Sequence, residues 1–115
     1  MSSPANRLRL VKTLHTIAWA FLAACVVAIP LFVLQDKLRW AFVAIAIVGI
    51  EVAVLAANSF RCPLTDVAAR YTSDRAANFD IYLPEWLARQ NKLIFGSLYV
   101  VGILFALAAW RGLLP

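Results

Sequence analysis

The sequence predicts an all-α integral membrane protein with three transmembrane helices and an amphipathic loop between the second and the third. The mean hydropathy is +0.80, and 63% of the residues are hydrophobic, against about 45–50% in soluble domains. The apolar residues form three runs near the length of about 20 residues that crosses a bilayer. The polar residues gather in one stretch, residues 59–91, here named the cap. At 115 residues we expect a single transmembrane domain, 1–115.

The first predicted span covers residues 14–34, which are apolar apart from His15 and Thr16. A proline near the far end of an apolar run bends a membrane helix and does not end it, because neighbouring helices satisfy the freed carbonyl. Pro30 therefore predicts a bend. Residues 1–13 are polar and basic, so we expect a tail that is disordered or lies at the membrane interface.

A lipoprotein signal is the alternative interpretation of this segment. Leu22-Ala23-Ala24-Cys25 resembles the lipobox that directs lipid attachment to a bacterial cysteine. The apolar run continues to Leu34, however, whereas a cleaved signal has an apolar region of about 7–15 residues followed by polar sequence. We therefore favour a retained helix, with Cys25 as a small buried apolar residue.

The second and third spans are predicted at residues 41–58 and 92–111. A short polar turn precedes the second span, so it runs antiparallel to the first, and its apolar residues are interrupted once, by Glu51. Proline suits the first position of a helix, and an acid is favourable in the first turn. Pro84 and Glu85 therefore predict that the third helix begins in the cap, before the membrane.

The cap is predicted to be folded. It contains no glycine and carries several aromatic residues, unlike a flexible linker. Thr65 and Asp66 are expected to cap a short helix that reaches about Arg70, and Asp74 to cap a turn near Ala76. We expect these amphipathic pieces to lie on the membrane surface.

The distribution of basic residues predicts the orientation. Basic residues favour the cytoplasmic side, which predicts a multi-pass protein of the bacterial inner membrane with a cytoplasmic amino terminus and cap and a carboxyl terminus outside. Trp40 and Trp110 then both lie at the outer interface. Eight of the eleven basic residues lie in the tail, in the cap or directly after the cap: Arg7, Arg9, Lys12, Arg61, Arg70, Arg75, Arg89 and Lys92.

Glu51 is the most informative polar residue in a span. An ionisable group at membrane depth costs a few kcal/mol and usually faces a partner or a watery cavity. Counted from the cytoplasmic ends of the spans, Glu51 is level with Trp19 and Tyr99, about 8–9 Å inside the boundary. We expect their N–H and O–H groups to bond to it. Two hypotheses remain: a protonated carboxyl that fixes helix packing, which we favour, or a proton or cation relay.

A second candidate group lies at the cytoplasmic mouth of the spans, where His15, Asn58 and Cys62 are expected to gather. Zinc requires about four N or S ligands and a six-coordinate haem two axial ones, so we predict neither metal nor cofactor and expect His15 to bond to a helix end or a lipid headgroup. Cys25 is about 15 Å deeper than this mouth, too far for a disulfide.

Cys62 has two interpretations. Arg61 beside it and the start of the helix predicted at Thr65 favour a reactive thiolate. A small apolar plug at a helix entrance explains a Cys-Pro pair equally well. We favour the plug, because the sequence shows no close base.

Cys62-Pro63-Leu64-Thr65, directly after a membrane helix, and Phe79-Asp80-Ile81-Tyr82-Leu83-Pro84 further along the cap resemble an uncharacterised family of small bacterial membrane proteins that share a CPLT motif. Leu14-His15 is also similar to that family. The resemblance implies the topology above and directs attention to Cys62–Thr65, without implying a reaction. Two departures are Ala68, where the family usually has an acid, and Glu51, which lies farther from the cysteine than the family's membrane acid.

The motifs identify no reaction. There is no phosphate-binding glycine loop, no HExxH and no Ser/His/Asp set, so a catalytic role is not predicted. The charge of +5 follows the topology, which favours the lipid bilayer as partner over nucleic acid. We predict a non-enzymatic packing or accessory subunit that contacts itself or a larger complex. The alternative is a proton- or cation-linked transport or redox component. The candidate functional residues are Glu51, His15, Cys62, Pro63, Thr65, Trp19, Tyr99 and Asn58.

Overall fold

The computed structural model describes residues 3–59 and 61–112, and within these ranges the chain is helical without any strand. Three of its four helices are long and apolar enough to cross a membrane. The predicted all-α, three-span class is therefore confirmed. The helices are α1 (Pro4–Leu34), α2 (Leu38–Ala57), α3 (Pro63–Ala68) and α4 (Glu85–Trp110).

Helix α1 begins ten residues before the predicted span. The Ser3 hydroxyl accepts the backbone N–H of Asn6 at 3.2 Å, so Ser3 caps the helix, and Pro4 occupies the first helical position that suits proline. The expectation of disorder in the tail is thus wrong for residues 4–13, because a capped start lets the polar stretch continue into the apolar one. The helix runs on through Pro30 to Leu34.

The turn between α1 and α2 is tight. The N–H of Lys37 donates to the carbonyl of Phe32 at 2.8 Å, and Asp36 takes a left-handed backbone with φ of 58°, which aspartate tolerates better than most residues. The later helix α4 begins at Glu85, directly after Pro84, as predicted.

Helix α3 starts differently from the prediction. Its first residue is Pro63 and its N-cap is Cys62, whose side chain makes no capping hydrogen bond. The predicted cap at Thr65 is therefore wrong. The turn predicted near Ala76 is present, because the Asp74 carboxylate accepts the N–H of Ala76 at 2.9 Å.

The chain divides into two compact units. Unit one contains residues 1–20 and 52–91, and unit two contains residues 21–51 and 92–115. The buried apolar residues of unit one are Val11, Ala68 and Ile81. Unit two has a core cluster of Ile29, Val33, Ala41, Ala44 and Ala106.

Small residues bring helices close together in unit two. A Cβ built on Gly102 of α4 would lie 3.1 Å from Cγ2 of Ile29 on α1, and Ile29 is fully buried. The adjoining turn of α4 contributes Ala106, which is also fully buried. Close approach at small residues supplies the van der Waals contact that holds membrane helices together.

Candidate functional site

Four polar side chains of unit one form the candidate site, here named the His15 cluster: His15, Cys62, Thr65 and Asp80. Helix α1 supplies His15, the start of α3 supplies Cys62 and Thr65, and the segment between α3 and α4 supplies Asp80. Among the described residues Asp80 is the only buried charged one, with 6% of its surface exposed. A buried carboxylate is stable only when partners satisfy it.

Two residues satisfy Asp80. The hydroxyl of Thr65 donates to Oδ2 of Asp80. The Nδ1 of His15 lies 3.1 Å from the Asp80 backbone carbonyl oxygen and 3.5 Å from its Oδ2. The carbonyl accepts only from a protonated Nδ1, so the neutral form of this imidazole has its lone pair on Nε2. The structure therefore gives Nδ1 of His15 a loop carbonyl as its partner.

Cys62 lies beside this imidazole. The Cys62 side chain interacts electrostatically with His15, and the residue is half-buried. The favoured interpretation of Cys62, a small plug at the entrance of α3, stays a prediction. A thiol, an adjacent imidazole and a group that orients the imidazole are the three components of an activated nucleophile.

The cap contacts α1 through Tyr82, the residue that follows Ile81. The backbone N–H of Tyr82 donates to the Thr16 hydroxyl at 2.9 Å, and the Lys12 ammonium lies 4.4 Å from the centre of the Tyr82 ring. Asp80 and Tyr82 thus contact α1 on either side of the buried Ile81. These contacts hold Asp80 against His15, and they confirm that this part of the cap is folded.

Asn58 was predicted to lie with His15 and Cys62, but its hydrogen bonds go elsewhere. Its side-chain amide donates to the carbonyl of Arg61 at 2.7 Å and to Oδ2 of Asp66 at 3.0 Å. Arg61 approaches the other oxygen of Asp66 at 3.6 Å. Asn58 therefore braces the turn between α2 and α3. The structure brings His15 and Cys62 together, with Asn58 in this bracing position.

The hydrogen bonds predicted for Glu51 are not the ones found. The Trp19 indole N–H donates to Oδ1 of Asn91 at 2.7 Å, and the Tyr99 hydroxyl donates to the carbonyl of Ile45 at 2.7 Å. Both donors that were expected to bond to Glu51 therefore donate to other acceptors. The described residues give the half-buried Glu51 carboxyl no hydrogen bond or ion pair. Its functional role stays a prediction.

Helix geometry explains why the Tyr99 hydroxyl bonds to the Ile45 carbonyl and not to Glu51. A Cβ on Gly49 would lie 3.2 Å from the Tyr99 hydroxyl, so the missing side chain opens the surface of α2 at that point. Ile45 lies one turn earlier and offers its carbonyl on the same face. Glu51 is two residues beyond Gly49, about 200° further around the helix at about 100° per residue. The Tyr99 hydroxyl therefore bonds to the backbone of α2.

Sequence reasoning did not identify Asp80 as a site residue. The available signal was local: this acid lies between Phe79 and Ile81, an apolar setting in which a carboxylate needs a specific partner. Among residues 3–59 and 61–112, no group of three His, Cys, Asp or Glu side chains is arranged to hold a metal ion.

Comparison of the chain with protein-family models, with curated proteins and with solved structures finds no match. The fold and the site define the class. The chain is an all-α membrane protein with three helices long enough to span the bilayer and a polar cluster at His15.

Proposed function

We propose that the protein is a non-enzymatic packing or accessory subunit of the bacterial inner membrane, assembled with itself or with a larger membrane complex. The bacterial source rests on the resemblance to the CPLT family. The amino terminus and the cap face the cytoplasm in this proposal, and the excess of basic residues in those two segments supports that orientation.

One glycine carries the proposal. Gly49 and Gly102 lie against Tyr99 and Ile29, so contacts within the chain account for both. Gly96 of α4 differs, since a Cβ built there meets no described atom within 4 Å. A glycine inside a helix costs about 1 kcal/mol relative to alanine, and membrane helices place small residues where another helix approaches. Because no described residue packs against Gly96, this glycine fits a contact with a helix from another chain.

The surface around Gly96 supports the same conclusion. Gly96 itself is exposed. Ser97 beside Gly96 is exposed, and a serine hydroxyl in a membrane contributes by bonding across to a neighbouring helix. This face of α4, defined by Gly96 and Ser97, is the proposed contact face.

Disulfide cross-linking in native membranes tests the proposal. Ser97→Cys is introduced into a chain in which Cys25 and Cys62 are replaced by alanine. The matched control is Leu98→Cys, because Leu98 is also exposed but lies about 100° further around the helix. We expect a cross-link to a second copy, or to one partner, from position 97 and little from position 98.

A bulky residue on the contact face provides the second arm of the test. Gly96→Leu is expected to abolish the cross-link at position 97, whereas Gly96→Ala is expected to retain it. Equal cross-linking at positions 97 and 98, or full cross-linking with Gly96→Leu, would contradict the proposed contact face.

A second candidate function is thiol or proton chemistry, and two observations favour it. The imidazole of His15 lies beside Cys62, and the Glu51 carboxyl makes no hydrogen bond to the described residues. Glu51→Gln separates the two roles of the carboxyl. A packing role tolerates the amide, because glutamine still forms hydrogen bonds, whereas a proton relay loses its function while the protein stays folded.

A further inference from the structure

We propose that the protein binds an apolar organic cation in a groove between α1 and α2, with the Glu51 carboxylate as its counter-ion. This ligand site goes beyond the packing function, which concerns the Gly96 and Ser97 face of α4.

The groove lies between α1 and α2 within unit two and is open on one side. Its volume is about 320 Å³, within the range of about 300–1,000 Å³ that small-molecule sites occupy. Such sites are lined mainly by apolar and aromatic side chains, with a few polar groups that orient the ligand. The lining of this groove is apolar, and it includes the rings of Phe21, Phe32 and Trp40.

Glu51 continues the face of α2 that lines the groove. The lining residues Trp40, Ala44 and Ile47 are spaced as i, i+4 and i+7, and Glu51 is the next member of that series, at i+11. Eleven residues are close to three full turns, so Glu51 lies within about 20° of Trp40 around the helix axis. The carboxyl therefore projects from the same face, one turn beyond Ile47.

Phe21 of α1 lies level with Glu51. Phe32 and Trp40 both line the groove, and each lies two residues from the end of its helix at the tight turn. Phe21 is eleven residues from Phe32, and Glu51 is eleven residues from Trp40, which is about 16 Å along each helix. Because the tight turn makes the two helices antiparallel, Phe21 and Glu51 are at the same end of the groove.

The chemistry of this end indicates the ligand class. Glu51 lies within a helix apolar enough to cross a membrane, and the described residues give its carboxyl no hydrogen bond or ion pair. An acid at membrane depth usually faces a partner or a cavity. A carboxylate attracts a cation, and so does the face of an aromatic ring such as Phe21. A lipid acyl chain would fill the apolar part of the groove but would leave the carboxyl without a partner.

Binding of a quaternary ammonium compound tests the proposal. The purified full chain is placed in nanodiscs of phosphatidylcholine, which carries no net charge. Binding of radiolabelled benzyldimethyloctylammonium, an elongated apolar cation, is measured by scintillation proximity. We expect saturable binding to the parent chain. The uncharged analogue with carbon in place of nitrogen is expected to compete about 30-fold more weakly, because it leaves the carboxyl unpaired.

Two pairs of variants test the carboxyl and the groove separately. Glu51→Gln is expected to weaken binding by about 30-fold, the lower range for loss of one partner of a buried charge pair. Its matched control is Glu85→Gln, which removes an exposed acid at the start of α4 and should leave binding unchanged. Ala24→Leu places a larger side chain in the groove and should weaken binding, whereas Ala46→Leu adds the same atoms at an exposed position of α2 outside the groove. Circular dichroism verifies that each variant keeps its helices.

The two compounds keep the test decisive if a variant fails to fold, because both are measured on the parent chain. Absence of saturable binding, equal binding of the charged and uncharged compounds, unchanged affinity in folded Glu51→Gln, or equal effects of the two leucine variants would each overturn the proposal. The cross-linking test at position 97 concerns α4, which contributes no described residue to the groove. The packing function and this ligand site therefore succeed or fail separately.

Discussion

The close contact between α1 and α4 allows a matched pair of substitutions in one helix. Gly102→Ala and Gly96→Ala add the same methyl group to α4, six residues apart. At position 102 the new Cβ would lie 3.1 Å from Cγ2 and 3.4 Å from Cβ of the buried Ile29. At position 96 it meets no described atom within 4 Å. Both changes gain the same helix propensity, so their difference isolates the cost of crowding.

The expected difference follows from the neighbour's freedom to move. Ile29 is fully buried within the core cluster of unit two, and its β-branched side chain is stiff at χ1. Overpacking of a well-filled core costs about 1–3 kcal/mol. We therefore expect Gly102→Ala to be less stable than Gly96→Ala by about 1–3 kcal/mol, with Gly96→Ala equal to the parent or up to about 1 kcal/mol more stable.

Reversible unfolding in mixed detergent micelles, followed by circular dichroism, measures the two free energies of unfolding. Equal free energies for the two alanine variants would refute the reasoning, because they would show that α1 and α4 do not approach closely at position 102. Gly102→Ser serves as a further check, since its added Cβ is subject to the same contact.

Three further predictions concern polar contacts. Thr65→Val removes the hydroxyl that donates to buried Asp80 and is expected to cost about 1–3 kcal/mol, seen as faster amide hydrogen exchange in the cap. Asn91→Leu removes the acceptor of the Trp19 indole N–H and is expected to lower the free energy of unfolding by about 1 kcal/mol, measured by detergent unfolding. Arg89→Gln breaks an exposed ion pair within one turn of α4, so the free energy of unfolding is expected to change by under about 1 kcal/mol.

Each of these has a control in the chain. Thr13→Val removes a hydroxyl that bonds only to the carbonyl four residues earlier in its own helix, so it should leave hydrogen exchange in the cap unchanged. Asn91→Gln keeps an acceptor and should recover part of the loss from Asn91→Leu. If Arg89→Gln proved as damaging as Thr65→Val, then burial would not be what distinguishes these contacts.

The spans could be predicted because each is a local property. The length of the apolar run determines whether a helix can cross a bilayer, and the start of α4 at Glu85 follows from the proline that precedes it. The early start of α1 was not predicted, although it too depends on local sequence. Residues 4–13 are too polar for a span criterion, yet Ser3 and Pro4 supply a capped helix start.

The His15 cluster could be predicted only in part, because its contacts are long-range. Depth counting placed His15 near Cys62, since both lie close to the same predicted boundary. No local rule pairs His15 with Asp80, which lies 65 residues away. The same limit explains Thr65: a threonine near a helix start predicts a cap, but its hydroxyl instead satisfies the buried carboxylate fifteen residues later.

Glu51 shows a different limit. Depth alone placed Trp19 and Tyr99 level with the carboxyl, but level residues need not share a face of the bundle. Trp19 donates to Asn91, and Tyr99 donates to the carbonyl of Ile45. Rotation about the helix axis determines such pairings, and three nearly uniform apolar runs do not specify it.

The hydrogen bond between Tyr82 and Thr16 has a consequence for biogenesis. The two residues are 66 positions apart, so the ribosome must release the rest of α1 and all of α2 and α3 before they can meet. The first two helices can insert as a hairpin through their short turn, but the cap waits for its own synthesis. Attachment of the cap to α1 therefore follows synthesis of the first two membrane helices, and a chain stalled before Asp80 would leave His15 without its carbonyl partner.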